Sequence, residues 1–491
     1  MSLTTALNMA RSSLTATAGQ SAIISRNVAN AGNASATRKL PKLVTMAGGG
    51  VLLQSVARAS NDALTGAMLD ATSRDADKSE VVSVLNALNA TVGDVSQDSS
   101  PAALIGKLDS ALQQLAAAPQ STAGAQSAVS AAKDLALALN NASAVVEDLR
   151  RQSEADIGAS VVNLNTLLQR FGTVNSEIVH GSQAGQDVTD ALDARDGIIA
   201  DIANEIGVRV VRRGNNDIAL YTDSGVTLFE TKARNVTFDP TGNLGPGTFG
   251  RSVYVDGVPV TGNGVAMGIG SGRLAGLSQI RDEVTVTYQK QLDEIARGLV
   301  SSFAESDQSG SGLPDRAGLF TYDGAPAVPA AGQVVNGIAA TIRVAASVDP
   351  SQGGDVNRLR DGAISAPGNA AYLYNTTGAA GFTTRLSELQ SNLATLRPFD
   401  PTAQAQNSST MVGYASSSVA WLQEQRKVAA SASDYAGVVK ERAASALSND
   451  TGVNIDTEMS NMLELERSYQ ATAKLISTID GMFGSLINAI G

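Results

Sequence analysis

Along the first thirty positions, Leu3, Leu7, Ala10, Leu14, Thr17, Ser21, Ile24 and Val28 follow alternating steps of four and three. That alternation is a coiled-coil seam, because it returns each residue to one face of an α-helix. Three of these eight seam residues, Ala10, Thr17 and Ser21, are small or polar, so alone it would hold a partner weakly. The spacing predicts one helix of about 28 residues, ended by the turn formers Asn30-Ala31-Gly32-Asn33. The last forty positions mirror it. Ile455, Met459, Met462, Tyr469, Ala473, Ile476, Phe483, Ile487 and Ile490 keep the same alternation, interrupted at Glu466 and Asp480. A second stripe, Leu465, Leu475, Ile479, Met482 and Leu486, widens the apolar face, and Asp450-Thr451-Gly452 with Asn454 supplies a start. Isolated helices are marginal in water, so two such ends are expected to pair. The alternative is a helix docked locally on a globular body.

Between the ends the period changes. Residues 60–182 read as helix, with seams at Val81, Val84, Leu85, Leu88 and at Val162, Leu164, Leu167, Leu168, Phe171, Val174, Ile178, broken at Pro101 and Pro119. Residues 205–260 alternate as strands do: Val208-Arg209-Val210, Ile218-Ala219-Leu220-Tyr221, Val226-Thr227-Leu228 and Val253-Tyr254-Val255, with turns at Gly214-Asn215-Asn216 and Asp256-Gly257. Leu277, Ile280, Val284, Tyr288, Leu292, Ile295, Leu299 and Phe303 predict a long helix. The expected class is α+β. Its segments are an N-terminal core helix (1–32), a helical body (33–184), a β-containing middle (185–272), a long helix (273–304), a loop-rich β insertion (305–372), a returning helical body (373–450) and a C-terminal core helix (451–491).

Composition narrows the chemistry. The 491 residues include no cysteine and one histidine, His180, which excludes thiolate metal sites, cysteine nucleophiles and two-histidine metal centres. The net charge of −11 argues against nucleic-acid binding through the whole surface. Its distribution says more. Residues 1–60 contain Arg11, Arg26, Arg38, Lys39, Lys42 and Arg58 and no acid, leaving 30 basic against 47 acidic residues in the rest. A basic first helix would meet an acidic last one, since residues 451–491 hold two basic and five acidic side chains. No 18-residue apolar run is present to insert in a membrane, and the acid-free start superficially resembles a transit peptide.

Candidate sites are weak one by one. The glycines at 262, 264, 268, 270 and 272 lack dinucleotide-loop spacing and suit a hairpin-to-helix connection. His180 falls at a helix end, without a nucleophile motif nearby. Asp190, Asp193 and Asp196 share one helix face but lack calcium-loop spacing, and Arg195 among them suggests an ion-paired helix start. Trp421 reads as a packing anchor. Nothing calls for a catalytic residue, a metal or a cofactor.

Three stretches carry a resemblance. The C-terminal run Gly452-Val453-Asn454-Ile455-Asp456-Thr457-Glu458-Met459, with Glu466-Arg467-Ser468-Tyr469-Gln470-Ala471 and Ile476 to Phe483, resembles the shared ending of bacterial flagellar axial proteins. Leu192-Asp193-Ala194-Arg195-Asp196 before Ile206-Gly207-Val208 is similar to a stretch of the hook-associated junction proteins of that family. So is Gly272-Arg273-Leu274-Ala275-Gly276-Leu277 with Arg281-Asp282. At the N-terminus Asn27, Asn30, Thr37 and Arg38 match, while Asn33-Ala34-Ser35-Ala36 replace the family's Thr-Pro-Gly-Tyr.

The resemblance implies a non-enzymatic subunit of the hook–filament junction, built into a tube of its own copies through the paired ends. It implies hook protein below, a second junction protein above, and a cytoplasmic export chaperone on the C-terminal helix. It also implies an extracellular place on the flagellum, reached through type III export without a cleaved signal peptide; the transit-peptide reading then falls. The alternatives are another axial protein, such as hook protein or the second junction protein, and an enzyme or binding module in 305–372 around Asp349, Asp355, Arg360 and Asp361.

Overall fold

The computed structural model describes residues 2–33, 35–47, 49–92 and 100–490. Helix α1 (Leu3–Asn30) starts where the Ser2 hydroxyl accepts the Thr5 amide at 3.2 Å, an N-cap that satisfies one orphan donor. An antiparallel hairpin follows, β1 (Lys39–Thr45) and β2 (Val51–Arg58), inside a stretch whose sequence reads as helical body. The hairpin lies along α1 because the helix offers small residues there: a Cβ on Gly19 would sit 3.0 Å from Leu53, and Ser12 Oγ accepts the Val51 amide at 3.2 Å.

Three helices then run where the heptads predict, α2 (Asp62–Val92), α3 (Pro101–Ala117) and α4 (Thr122–Gln183). Pro101 opens α3 at its first turn, where a missing amide costs nothing. The 62 residues of α4 span roughly 93 Å and form the spine of the body. After α5 (Thr189–Glu205), strands β3 (Val208–Arg212), β4 (Ile218–Thr222) and β5 (Thr227–Phe229) make one three-stranded sheet. Strands β6 (Val236–Thr237), β7 (Tyr254–Val255) and β8 (Val258–Pro259) make another. Asp256 and Gly257 both take positive φ, as the tight hairpin turn requires.

Helix α6 (Arg273–Gln279) passes through a π-helical turn, Ile280–Val284, into α7 (Thr285–Ser302), so the predicted single helix carries a bulge. The predicted face is buried, but so is the opposite one. Gln289, Gln291, Asp293, Glu294 and Arg297 are buried too, and each is satisfied: Arg297 pairs with Glu294 at 2.7 Å, and Gln291 donates to the Ala403 carbonyl at 2.9 Å.

The 305–372 stretch contains β9 (Phe320–Thr321), α8 (Ile338–Thr341), β10 (Arg343–Val344) and α9 (Arg358–Asp361). Its strands are two residues long, and its apolar residues share one core with α3, the first half of α4, and α7. It is therefore part of the body rather than a detached insertion. Then come α10 (Thr384–Ala394), β11 (Arg397–Pro398), β12 (Ser408–Ser409), α11 (Met411–Thr451) and α12 (Ile455–Ile490). Trp421 stacks on Tyr288 with centroids 6.5 Å apart.

Two apolar cores result. The first joins α3, α7, α10, α11 and the front of α4; the second joins the back of α4, α5, the sheets β3–β4–β5 and β6–β7–β8, and α6. A polar layer separates them: Arg281, fully buried, pairs with Glu154 at 2.5 Å and Asp282 at 2.6 Å, while Arg150 donates to the Arg281 carbonyl at 3.1 Å. Gly272 and Gly276 of the sequence motif have backbone reasons. Gly272 has φ +92° and abuts Ile206, and a Cβ on Gly276 would sit 2.6 Å from the Asp77 carbonyl of α2. Leu274 and Leu277 fill the second core.

Candidate assembly interface and its joint to the body

Helices α1 and α12 pack along each other, bringing the chain ends together. On α1 the predicted seam faces inward: Leu3, Leu7, Leu14 and Val28 are half-buried, and Ala10, Thr17 and Ile24 are buried. On α12 the inward line is rotated from the predicted one. Glu458 and Ile479 are buried and Met462, Leu465, Ile476 and Phe483 half-buried, whereas Ile455, Met459, Tyr469 and Ile487 are exposed. With Leu463, Leu475, Met482 and Leu486, those four leave apolar side chains on both flanks of the inward line that no other described residue covers. Periodicity could not tell the two stripes apart, because both recur at helical spacing and only the position of α1 selects one.

The joint to the body is polar. The basic side chains Arg26, Lys39 and Arg58 pair with acids on and just before α5, not on α12, which corrects the expected charge pairing. Arg26 bonds Asp187 at 3.0 Å, Lys39 bonds Asp193 at 2.5 Å, and Arg58 bonds Asp193 at 2.9 Å and Asp196 at 2.6 Å. Lys39 and Arg58 face each other across the open end of the hairpin. Two like charges placed so would repel; the shared Asp193 carboxylate turns them into a clamp. Thr37 adds its amide at 3.0 Å and its hydroxyl at 2.7 Å to the same carboxylate.

Burial pushes the Asp193 carboxyl up, yet the hydrogen bonds from Lys39, Thr37 and Arg58 outweigh it and hold the group below its ordinary value. Asp187 is held low in the same way, with bonds from Thr189 and Arg26 outweighing burial. Arg195, by contrast, points away from these aspartates. It is fully buried, donates to Asn175 at 2.8 Å and to the Asn216 carbonyl at 2.5 Å, and is pushed down to about 10 by burial. It anchors α5 to the body while Leu192 is buried beside it, so the Leu192–Asp196 stretch has an inner apolar side and an outer acidic one.

Asn27 ties three elements together. Its side-chain amide donates to the Lys39 carbonyl at 3.0 Å and to Glu458 of α12 at 3.1 Å, and its carbonyl oxygen accepts the Lys39 amide at 2.8 Å. Asn30 caps its own helix by donating to the Arg26 carbonyl at 3.0 Å. The Arg38 amide bonds the Thr451 carbonyl at the end of α11 at 2.8 Å. Lys39, Arg58 and Glu458 were not singled out as site residues from sequence, and Thr37 stood only as a match to the family's N-terminal pattern. The signal for the basic members was the absence of acid before residue 61; the partners lay 135 to 161 residues away.

In the 305–372 stretch the acids are spent on structure. Asp349 caps the turn at Ser351 and pairs with Lys133 at 2.9 Å, Asp355 accepts the Asn357 amide at 3.0 Å, and Arg360 pairs with Asp361 at 2.7 Å. Ala184 donates to the carbonyl of His180 at 3.0 Å, placing it at the end of α4. Among the described residues no helix is long and apolar enough to cross a membrane, and no group of three His, Cys, Asp or Glu is placed to hold a metal.

Comparison with known proteins bears on both parts. Residues 85–320 match the family described as the flagellar hook-associated protein FlgK helical domain, and residues 446–489 match the flagellar basal body rod FlgEFG protein C-terminal family. Flagellar hook-associated protein 1 of Bacillus subtilis (strain 168) is 21% identical over 380 residues, covering 72% of this chain and 69% of that protein. The flagellar hook junction protein FlgK from Burkholderia pseudomallei aligns with a TM-score of 0.43 and 20% identity, over 52% of this chain and 46% of that one, less than half of its length. The helical body and the terminal helix are thus matched separately, and together with the Bacillus subtilis relative these matches support a FlgK-type flagellar hook-associated protein.

Proposed function

We propose that this chain is a structural subunit of the hook–filament junction, entering a helical assembly of its own copies through the α1–α12 pair. The observation that carries the reading is the row of exposed apolar side chains on α12, from Ile455 to Ile487, flanking the line that is spent on α1. Exposed apolar surface of that extent marks a protein contact, and a contact whose two sides are different patches propagates as a filament or ring. Hook protein on one side and a second junction protein on the other are the axial neighbours. Before assembly the same face needs a mask, which a cytoplasmic chaperone on α12 supplies, and the subunit reaches the flagellum through type III export. Leu3, Leu7, Leu14, Ile24 and Val28 hold the pair; Ile455, Met459, Tyr469 and Ile487 meet the neighbouring copy.

The test is removal of residues 453–491. The truncated chain is expected to stay folded and monomeric, because both cores lie outside those residues, and to lose addition to isolated hooks. Addition at the full-length rate would refute the assignment of α12.

A further inference from the structure

The α1–hairpin–α12 unit touches the body without sharing its cores. Among the described residues, neither apolar core includes one from 1–60 or from 452–491. What holds the unit is the acidic edge of α5 closing on Arg26, Lys39 and Arg58, with the Arg38–Thr451 backbone bond beside it. Next to this clamp the interface is not filled. A groove of about 700 Å³ runs between the connecting segments and α2, α5 and α11, with Met68, Leu69, Ala200 and Leu447 on its walls. Apolar packing resists displacement in every direction, because it is dense and non-directional. A joint made of directed charge-assisted bonds beside an open groove resists only while those bonds last.

We infer that Asp193 is a positioning residue: it sets the orientation of the terminal helix pair on the body, and without its carboxylate the pair swings while both parts stay folded. The geometry is specific to this residue. Among the described residues its carboxylate alone takes bonds from both strands of the hairpin and from the segment leading into it, at Lys39, Arg58 and Thr37. Asp187 and Asp196 each meet a single arginine. On the other side of α5, Arg195 bonds α4 and the Asn216 carbonyl, so the cradle itself is fixed and the moving part is the helix pair. The inference rests on reading that pair as the assembly-forming part, since its orientation then decides how a subunit presents α12 to its neighbour.

The chain has no cysteine, so two can be introduced for spin labels without background. In the monomeric full-length protein, Ala18→Cys on α1 and Gln169→Cys on α4 report the joint; Gln169→Cys with Lys232→Cys reports the body. Double electron–electron resonance is expected to give a narrow α1–α4 distance in the parent chain. Asp193→Asn loses the narrow peak, Asp193→Glu keeps it, and the body distance and the helical circular dichroism do not change. Arg58→Gln, which leaves the body untouched, loses the peak as well. A narrow peak retained in both Asp193→Asn and Arg58→Gln overturns the inference, and so does a parent chain whose distance is already broad. A changed body distance in both variants overturns it too, because the clamp would then serve the fold and not the joint. If the distances behave as expected but truncation of α12 leaves hook addition intact, the assembly reading fails and the positioning role stands.

Discussion

Replacing Asn27 by alanine isolates the staple inside the terminal unit. The side chain is buried, as are Lys39 and Glu458 around it, so water does not compensate its loss. Three hydrogen bonds go: two neutral ones with the Lys39 backbone, and one to the Glu458 carboxylate. At about 1 kcal/mol for each neutral bond and about 1.5–3 kcal/mol for one to a charged group, the loss comes to about 3.5–5 kcal/mol. The Glu458 carboxylate then keeps no partner from α1, a further penalty of the same kind. That energy belongs to opening of α1, the hairpin and α12, not to global unfolding, because none of the three reaches a body core. Hydrogen exchange reads it directly, since locally opening segments exchange with their own free energies. Amides of α1 near Asn27 and of α12 near Glu458 should exchange about a thousandfold faster, while those of α4 and α7 keep their rates. Acceleration below about tenfold in α1, or equal acceleration in α4, would refute the reasoning.

Other consequences follow from the same geometry. Gly272→Ala forces a residue with φ +92° and sets its Cβ 2.5 Å from the Ile206 backbone, which no rotamer relieves; we expect a loss of about 2–4 kcal/mol, and a melting temperature within about 2 °C of the parent would contradict it. Asp293, buried in α7, is pushed up to about 7 by burial, against the bonds from the Ala339 and Gly337 amides and Gln289. Its folded form therefore holds a proton that the unfolded chain, near 3.9, has released, so body stability falls as pH rises from about 4 to 7, by up to a few kcal/mol. Urea unfolding at pH 5 and 8 measures this slope, and Asp293→Asn should flatten it. The joint has the opposite sign: Asp193 and Asp187 are held low, so their contribution is present above about pH 4 and is lost as pH falls through their folded values. Exchange of α1 amides should accelerate first on acidification.

Much of the architecture was legible as periodicity. The bounds of α1, the Pro101 start of α3, the Asp256-Gly257 turn and the buried line of α7 are local rules acting within a few residues. The hairpin at 39–58 escaped because it is read only against α1. Its outward residues include Leu40, Leu43, Val44 and Leu52, so no polar–apolar alternation marks it as a half-buried strand. The polar face of α7 escaped for a related reason: Gln291 and Arg297 look solvent-facing until Ser418, Ala403 and Pro398 arrive as partners from a hundred residues on.

By itself, the sequence determined that the two ends are seam helices, that residues 1–60 carry only positive charge, and that no cysteine and a single histidine limit the chemistry. These are properties of composition and of spacing along one element, which no fold can change. The tertiary structure decided which stripe of α12 faces α1 and which stays open. It also decided that the basic side chains close on Asp187, just before α5, and on Asp193 and Asp196 of α5 rather than on the acidic α12. Both are choices among partners of equal local merit, and such choices are settled only by what the rest of the chain brings within a few ångströms.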